Sequence, residues 1–286
     1  MLSYQHAFHA GNHADILKHY VLMFVLNSLN KKDKPYTVFD THSGSGLYDM
    51  ADNRIVKTGE AVKGIQGLIR LIEHGESVPP KEFLPYLDIV REYNSSGLYP
   101  GSPEIERRLL RKCDTLVLSE LHPQEFTNLK YNMEKPFVPH GTLDIKIHKR
   151  NGWEMIKALT PPATKRGAVL IDPSYEEAQD YIDAAATICE VNKKWSNGII
   201  MLWYPLLAHR EGEVSCMIDA ISAGAKRVNH NVETLNLTLE VYDKDKDNMP
   251  RLYGSGMFVI NAPWKLEEES KIVIPYVRDA ISPLFL

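Results

Sequence analysis

The chain of 286 residues predicts an α/β fold with a mostly parallel central sheet. Three observations carry that prediction. Short β-prone apolar runs recur along the chain, and three of them run into an acidic residue, Asp40, Glu120 or Asp172. Between the runs lie segments with apolar residues at three- and four-residue spacing, the alternation of a doubly wound sheet. The first run also opens onto a glycine turn, Ser43-Gly44-Ser45-Gly46. Doubly wound sheets bind ligands in the crevice beyond the carboxyl ends of their strands, so the three acids point toward one crevice if their strands are neighbours.

His13 to Leu29 spaces Ile16, Leu17, Tyr20, Val21, Phe24, Val25 and Leu29 as on an amphipathic helix whose polar face carries Lys18. Tyr36 to Asp40 then reads as a buried strand ending in a tight turn. Two helical patterns follow, Glu60 to His74 and Lys81 to Tyr93, separated by Val78-Pro79-Pro80 and closed by Asn94-Ser95-Ser96-Gly97. We read residues 52–98 as a small helical insertion, too short to bury a generous core alone, within a core formed by 1–51 and 99–286. The alternation resumes with strand Thr115 to Glu120, helices Pro123 to Glu134 and Asn151 to Leu159, and strand Ala168 to Asp172. Helix Glu176 to Lys194, strand Gly198 to Tyr204, helix Arg210 to Ala223 and strand Met257 to Asn261 complete it. Ser102 before Pro103 has the form of a helix N-cap with proline at the first helical position.

Composition narrows the function classes. Thirty-three Lys and Arg against 37 Asp and Glu leave a net charge of −4, so a nucleic-acid partner would have to be held by a local patch. The three cysteines form no CxxC pair, which points away from a disulfide framework or a cysteine zinc site and fits a reducing, cytoplasmic setting. The longest strongly apolar run, Gly198 to Ala208, falls short of the roughly 20 residues of a membrane span. The first 20 residues carry four histidines, Asp15 and Lys18 where an export signal would be apolar. His6, His9, His13, His19 and Asp15 are types that suit a metal, but they show no HExxH or other recognised ligand spacing.

The sharpest motif is Asp172-Pro173-Ser174-Tyr175 after an apolar strand. A carboxylate and a proline-stiffened backbone carbonyl can accept the two N–H bonds of an exocyclic amine, while the aromatic ring stacks on its base. Asp-Pro and Pro-Ser are also ordinary turn sequences. The motif resembles the Asp-Pro-Pro-Tyr of amino methyltransferases acting on adenine N6. With Met1 to His19, Asp40 to Gly46, Tyr99 to Pro103, Glu120-Leu121-His122-Pro123, Leu202-Trp203-Tyr204-Pro205 and Ser255 to Leu266, the chain resembles the RlmJ-type 23S rRNA adenine-N6 methyltransferases. That resemblance implies a Rossmann-like class I methyltransferase core with an N-terminal active-site segment, using S-adenosyl-L-methionine and no metal. Asp172, Pro173 and Tyr175 match its catalytic positions, and Tyr4, His6 and Lys18 its substrate-binding mouth. His19, His42, Ser102, Glu120, Asn151, Gly152 and Asp172 match its cofactor contacts, with Glu120 on the ribose and Asn151-Gly152 at the cofactor's adenine.

Two positions depart from the family pattern. Asn151 stands where the family usually has Asp, and its amide oxygen is expected to accept from the cofactor's amino group, more weakly than a carboxylate would. Ser174 replaces the second proline and relaxes the loop. The expected reaction is transfer of a methyl group to N6 of one adenine of 23S rRNA by a cytoplasmic monomer, on free or immature RNA, because an extruded base comes most cheaply from unpaired RNA. The alternatives are a DNA adenine or protein amide methyltransferase of the same fold, a noncatalytic RNA-binding protein, and a metal hydrolase using the N-terminal histidines. Asp49 stands where a dinucleotide-binding glycine pattern would need glycine. Lys31-Lys32 with Lys34, Arg107-Arg108 with Arg111-Lys112, and Lys146 to Arg150 are the basic clusters that could meet phosphate.

Overall fold

The computed structural model describes residues 5–135, 143–243 and 252–285. A short 3-10 turn at His6–Phe8 leads into α1, His13–Asn30, which Asn12 caps by accepting from Ala14 N and Asp15 N. β1 is Thr37–Asp40 and β2 is Leu47–Asp49. The inserted region holds α2 (Asn53–Thr58), α3 (Glu60–Lys63), α4 (Ile65–Glu73) and α5 (Leu84–Asn94). β3, Leu98–Pro100, pairs antiparallel with β2 and closes the insertion. Next come α6 (Ser102–Leu109), β4 (Thr115–Ser119), α7 (Pro123–Glu134), β5 (Asp144–His148), α8 (Gly152–Leu159) and β6 (Gly167–Ile171). The chain ends with α9 (Ala178–Lys194), β7 (Ile199–Leu207), α10 (Glu211–Val228), β8 (Thr234–Glu240), β9 (Leu252–Ile260) and α11 (Leu266–Ile281).

The main sheet has the order β5-β4-β1-β6-β7-β9-β8. Its first five strands are parallel, and β9 pairs antiparallel with both β7 and β8. This is the mostly parallel α/β sheet the sequence predicts, with β4, β1 and β6 adjacent. Alternate residues face opposite layers: Val38, Leu116 and Leu118 pack with α1 and the inserted helices, while Phe39 and Val117 pack with α8, α9 and α10.

α1 differs from expectation. It is buried from His13 to Leu26, Lys18 included, rather than presenting a polar face to water. The reason lies in what covers it: α3, α5, α6 and α11 all contact α1 while its other side meets the sheet. α3 and α5, which lie between β2 and β3, therefore cover the helix that carries Lys18. Ser102 also departs from expectation. It is the first residue of α6, with Gly101 at the cap, and its hydroxyl turns inward instead.

Candidate active site

The strand order sets the layout of the site. Beyond their carboxyl ends, β5, β4, β1 and β6 deliver Asn151-Gly152, Glu120, His42 to Gly44, and Asp172-Pro173, in that spatial sequence. All of these line one cavity, joined by Lys18 and His19 from α1 and by Ser102 from α6. Of the three strand-end acids, Glu120 and Asp172 reach the cavity. Asp40 is buried beneath it, accepting from Ser102 Oγ at 2.6 Å and from His42 N at 3.2 Å.

At the β6 end, Lys18 Nζ donates to Asp172 Oδ2 at 2.6 Å and to Asp15 Oδ1 at 2.8 Å. Burial works against this ammonium, but the two carboxylates outweigh it and raise its pKa. Burial alone would likewise raise Asp15. His6, Lys18 and His19 overcome that and hold its carboxyl well below the usual range. Asp15 Oδ2 meets His6 Nε2 at 3.1 Å and accepts from Gly11 N at 2.8 Å, so it fastens the N-terminal turn to α1. With Oδ2 of Asp172 held by Lys18, no donor among the described residues reaches Oδ1 or the Pro173 carbonyl. Two acceptors are left together at the end of the cavity.

Tyr175 does not provide the expected stacking face. Its backbone lies at φ 50, which turns the ring into the core, 5% exposed, against Tyr181 at a centroid distance of 4.5 Å. Its hydroxyl donates to the Trp203 carbonyl at 3.1 Å. The ring anchors the Asp172-Pro173 loop to β7 and does not line the cavity.

Glu120 holds its position through backbone amides. Gly44 N donates to Oε2 at 2.8 Å and His122 N to Oε1 at 2.7 Å. Burial raises its pKa and these amides lower it, with burial dominant. Each oxygen keeps a lone pair for a hydroxyl, so the carboxylate can accept from a diol. Burial pushes His42 down to about 4 and His19 down to about 3, so both are neutral near pH 7. The Thr41 hydroxyl has one proton and donates it to the Leu170 carbonyl at 3.2 Å. His42 Nδ1 lies 2.8 Å from that hydroxyl, which holds the ring in place at the edge of the cavity. His19 Nδ1 meets the Tyr99 hydroxyl at 2.9 Å, and its buried Nε2 lies 3.9 Å from Asp15 Oδ1 with no hydrogen-bond partner among the described residues.

Gly152 lies so near Thr41 that a Cβ there would come 2.0 Å from the Thr41 carbonyl oxygen, so only glycine lets α8 approach this closely. Asn151 caps α8: its Oδ1 accepts from Trp153 N at 2.8 Å and Glu154 N at 3.2 Å. That corrects the expectation that this oxygen is available to an amino group in the cavity, because both lone pairs are committed to the helix.

Among the residues weighed from sequence, His6, Lys18, His19, His42, Ser102, Glu120, Asn151, Gly152, Asp172 and Pro173 meet at this cavity. Tyr4 lies outside the described residues. Asp15, considered from sequence as a metal ligand, emerges as the anchor of Lys18 and His6. Its signal was the i,i+3 spacing to Lys18 on one helix. Among the described residues, no group of three or more His, Cys, Asp or Glu is placed to hold a metal ion, and no helix is long and apolar enough to cross a membrane.

Fold and site together define a Rossmann-like methyltransferase. The family model "Ribosomal RNA large subunit methyltransferase D, RlmJ" matches residues 33–284. The chain is 38% identical to ribosomal RNA large subunit methyltransferase J of Escherichia coli, over 99% of this chain and 95% of that one. It is 35% identical to the Haemophilus influenzae protein of the same name, again over 99% and 95%. A crystal structure of protein LPL1258 from Legionella pneumophila superposes with a TM-score of 0.82 at 30% identity, covering 96% of this chain and 95% of that one. The chain belongs to the RlmJ family of large-subunit rRNA methyltransferases.

Proposed function

We propose that this enzyme transfers a methyl group from S-adenosylmethionine to N6 of an adenine in 23S rRNA that is free or not yet packed into a mature subunit. The observation that carries the reading is the pair of unoccupied acceptors, Asp172 Oδ1 and the Pro173 carbonyl, at the end of a cavity that Glu120 also lines. Bound S-adenosylmethionine supplies a methyl carbon made electrophilic by its sulfonium. Glu120 would take the ribose hydroxyls, with His42, His19 and Ser102 around the methionine moiety. Ser102 spends its proton on Asp40 and so offers lone pairs to an ammonium.

The amino group of adenine is a weak nucleophile because its lone pair is conjugated with the ring. Asp172 Oδ1 and the Pro173 carbonyl accept its two N–H bonds, draw the nitrogen toward tetrahedral geometry and hold it in line with the methyl carbon. The sulfonium would supply the methyl and leave with the C–S electron pair, and Asp172 Oδ1 would take the proton that N6 releases. One lysine shared by two carboxylates leaves a net negative charge at this end of the cavity. That charge favours the positive charge moving from sulfur to N6, and it acts in a largely water-excluded pocket. Tyr175 contributes by fixing the loop.

The test is to incubate the protein with methyl-labelled S-adenosylmethionine and unmodified 23S rRNA fragments, DNA or protein, and to locate the label. N6-methyladenosine in the RNA is expected. A folded Asp172→Ala variant should lose transfer by about a hundredfold or more, the scale of a removed transition-state hydrogen bond. Label in DNA alone, or undiminished turnover by that variant, would refute the reading.

A further inference from the structure

The side chain that would face the base of the cofactor is Asn151. Covalent connectivity fixes the order of the cofactor's parts: the reacting methyl is on sulfur, sulfur is joined to the ribose, and the ribose carries the purine. With the methyl directed to the Asp172 end of the cavity and the diol on Glu120, the purine falls at the remaining end, beyond β5, where Asn151, Gly152 and the exposed Leu121 line the wall.

At that end the polarity of Asn151 is set by the helix it caps. Only oxygen can accept from the Trp153 and Glu154 backbone amides, so the carboxamide cannot be turned around without stranding both donors at the start of α8. The two protons on Nδ2 are left over, and no described residue accepts them. A carboxylate at this position would cap with one oxygen and present the other as an acceptor to the base. Asparagine presents a donor.

We propose that Asn151 reads the cofactor's purine through a ring nitrogen, by donating from Nδ2, and leaves the 6-amino group unread. This rests on the cofactor placement given above. The consequence is a change in what the site discriminates. A carboxylate selects for the amino group, whereas this amide tolerates its loss and selects for an acceptor nitrogen on the purine edge.

Calorimetry with the full chain tests this, using S-adenosylhomocysteine and its 6-desamino purine analogue. The wild-type protein should bind the two within about threefold of each other, while Asn151→Asp should bind the desamino analogue about tenfold or more weaker than the parent, the value of one hydrogen bond to a charged group. Asn151→Ser keeps an oxygen cap but has no amide donor, and should weaken both ligands by the same factor. Thermal melting shows that each variant is folded, and aspartate and serine are both good N-caps. Steep discrimination against the desamino analogue by the wild-type protein, or Asn151→Ser binding both ligands as the wild type does, overturns the assignment of Asn151. Glu120→Ala separates this from failure of the placement. Undiminished S-adenosylhomocysteine affinity in that variant removes the cofactor reading and the inference with it.

Discussion

At the scale of single residues, the site depends on a charge that no substrate touches. Asp15 is 1% exposed, and it positions Lys18 on Asp172 and His6 over α1. Asp15→Asn keeps the shape but removes the charge, so the Lys18 ammonium would lean wholly on Asp172 and reduce that carboxylate's power to accept from an amine. Breaking one arm of a buried ion network should lower stability by about 3 kcal/mol, read by urea denaturation. A merely structural residue would do no more. As a positioning residue, Asp15 should also show kcat reduced by about tenfold or more with S-adenosylhomocysteine affinity unchanged. Equal losses in both would assign it to folding alone. Sequence places Asp15 among possible metal ligands with the N-terminal histidines, and its spacing to Lys18 is the one signal for the role it has. Its importance comes from a fourfold convergence of Gly11, His6, Lys18 and His19 that requires the loop to fold back. Tyr175 shows the converse: the motif marked the residue, but a left-handed backbone angle decided that its ring faces inward.

At the scale of elements, legibility followed burial. Strands buried on both faces announce themselves as continuous apolar runs, and β1, β4, β6, β7 and the end of β9 lie where the sequence placed them. β5 was read as a basic cluster around Lys146 because its residues are exposed or half-buried at the sheet edge. β8, absent from the strands that apolar runs predict, carries Leu235, Leu237 and Leu239 in strict alternation, the signal of a one-sided strand. The amphipathic reading of α1 failed because periodicity reports the chain's own polarity and not what later segments lay over it. The covering is tight. A Cβ on Gly64, at the junction of α3 and α4, would come 2.3 Å from the Gly11 carbonyl oxygen and 2.8 Å from Asn12 Cα. Gly64→Ala must push the insertion off the N-terminal turn, at a cost of about 1–3 kcal/mol. Gly212→Ala, where nothing lies within 4 Å, should be neutral or stabilising by a few tenths. Equal melting temperatures for the two variants would mean that the insertion is not pressed onto the turn that carries His6.

At the scale of the whole molecule, the small net charge conceals buried groups whose titration should set the pH of greatest stability. Burial holds His13 and His42 down to about 4 and His19 down to about 3, against 6.5 when unfolded. The unfolded chain therefore binds up to three more protons at these sites as pH falls below 6.5, and stability drops through that window. Other groups act in the opposite sense: against burial, the Glu60 carboxylate raises His9, and burial raises Glu120. Burial raises Asp40 to about 7, and it raises Glu106, whose two oxygens are buried without hydrogen-bond partners among the described residues, well above its ordinary value. The folded state holds those protons where the unfolded state has released them, so stability falls as pH rises from about 4 through 7. At pH 5 the histidines outweigh the acids; by pH 7 most of the unfolded histidine is neutral and the acids prevail. The crossing places the stability maximum on the acid side of neutrality. Glu106→Gln removes one opposing carboxyl while keeping the shape of the side chain, and should move the maximum to higher pH. Urea denaturation of both proteins at half-unit steps from pH 5 to 8 decides the matter: a maximum that stays in place in the variant would show that Glu106 is not the protonated partner in this balance, and a wild-type stability that climbs steadily to pH 8 would show that the acids never come to dominate.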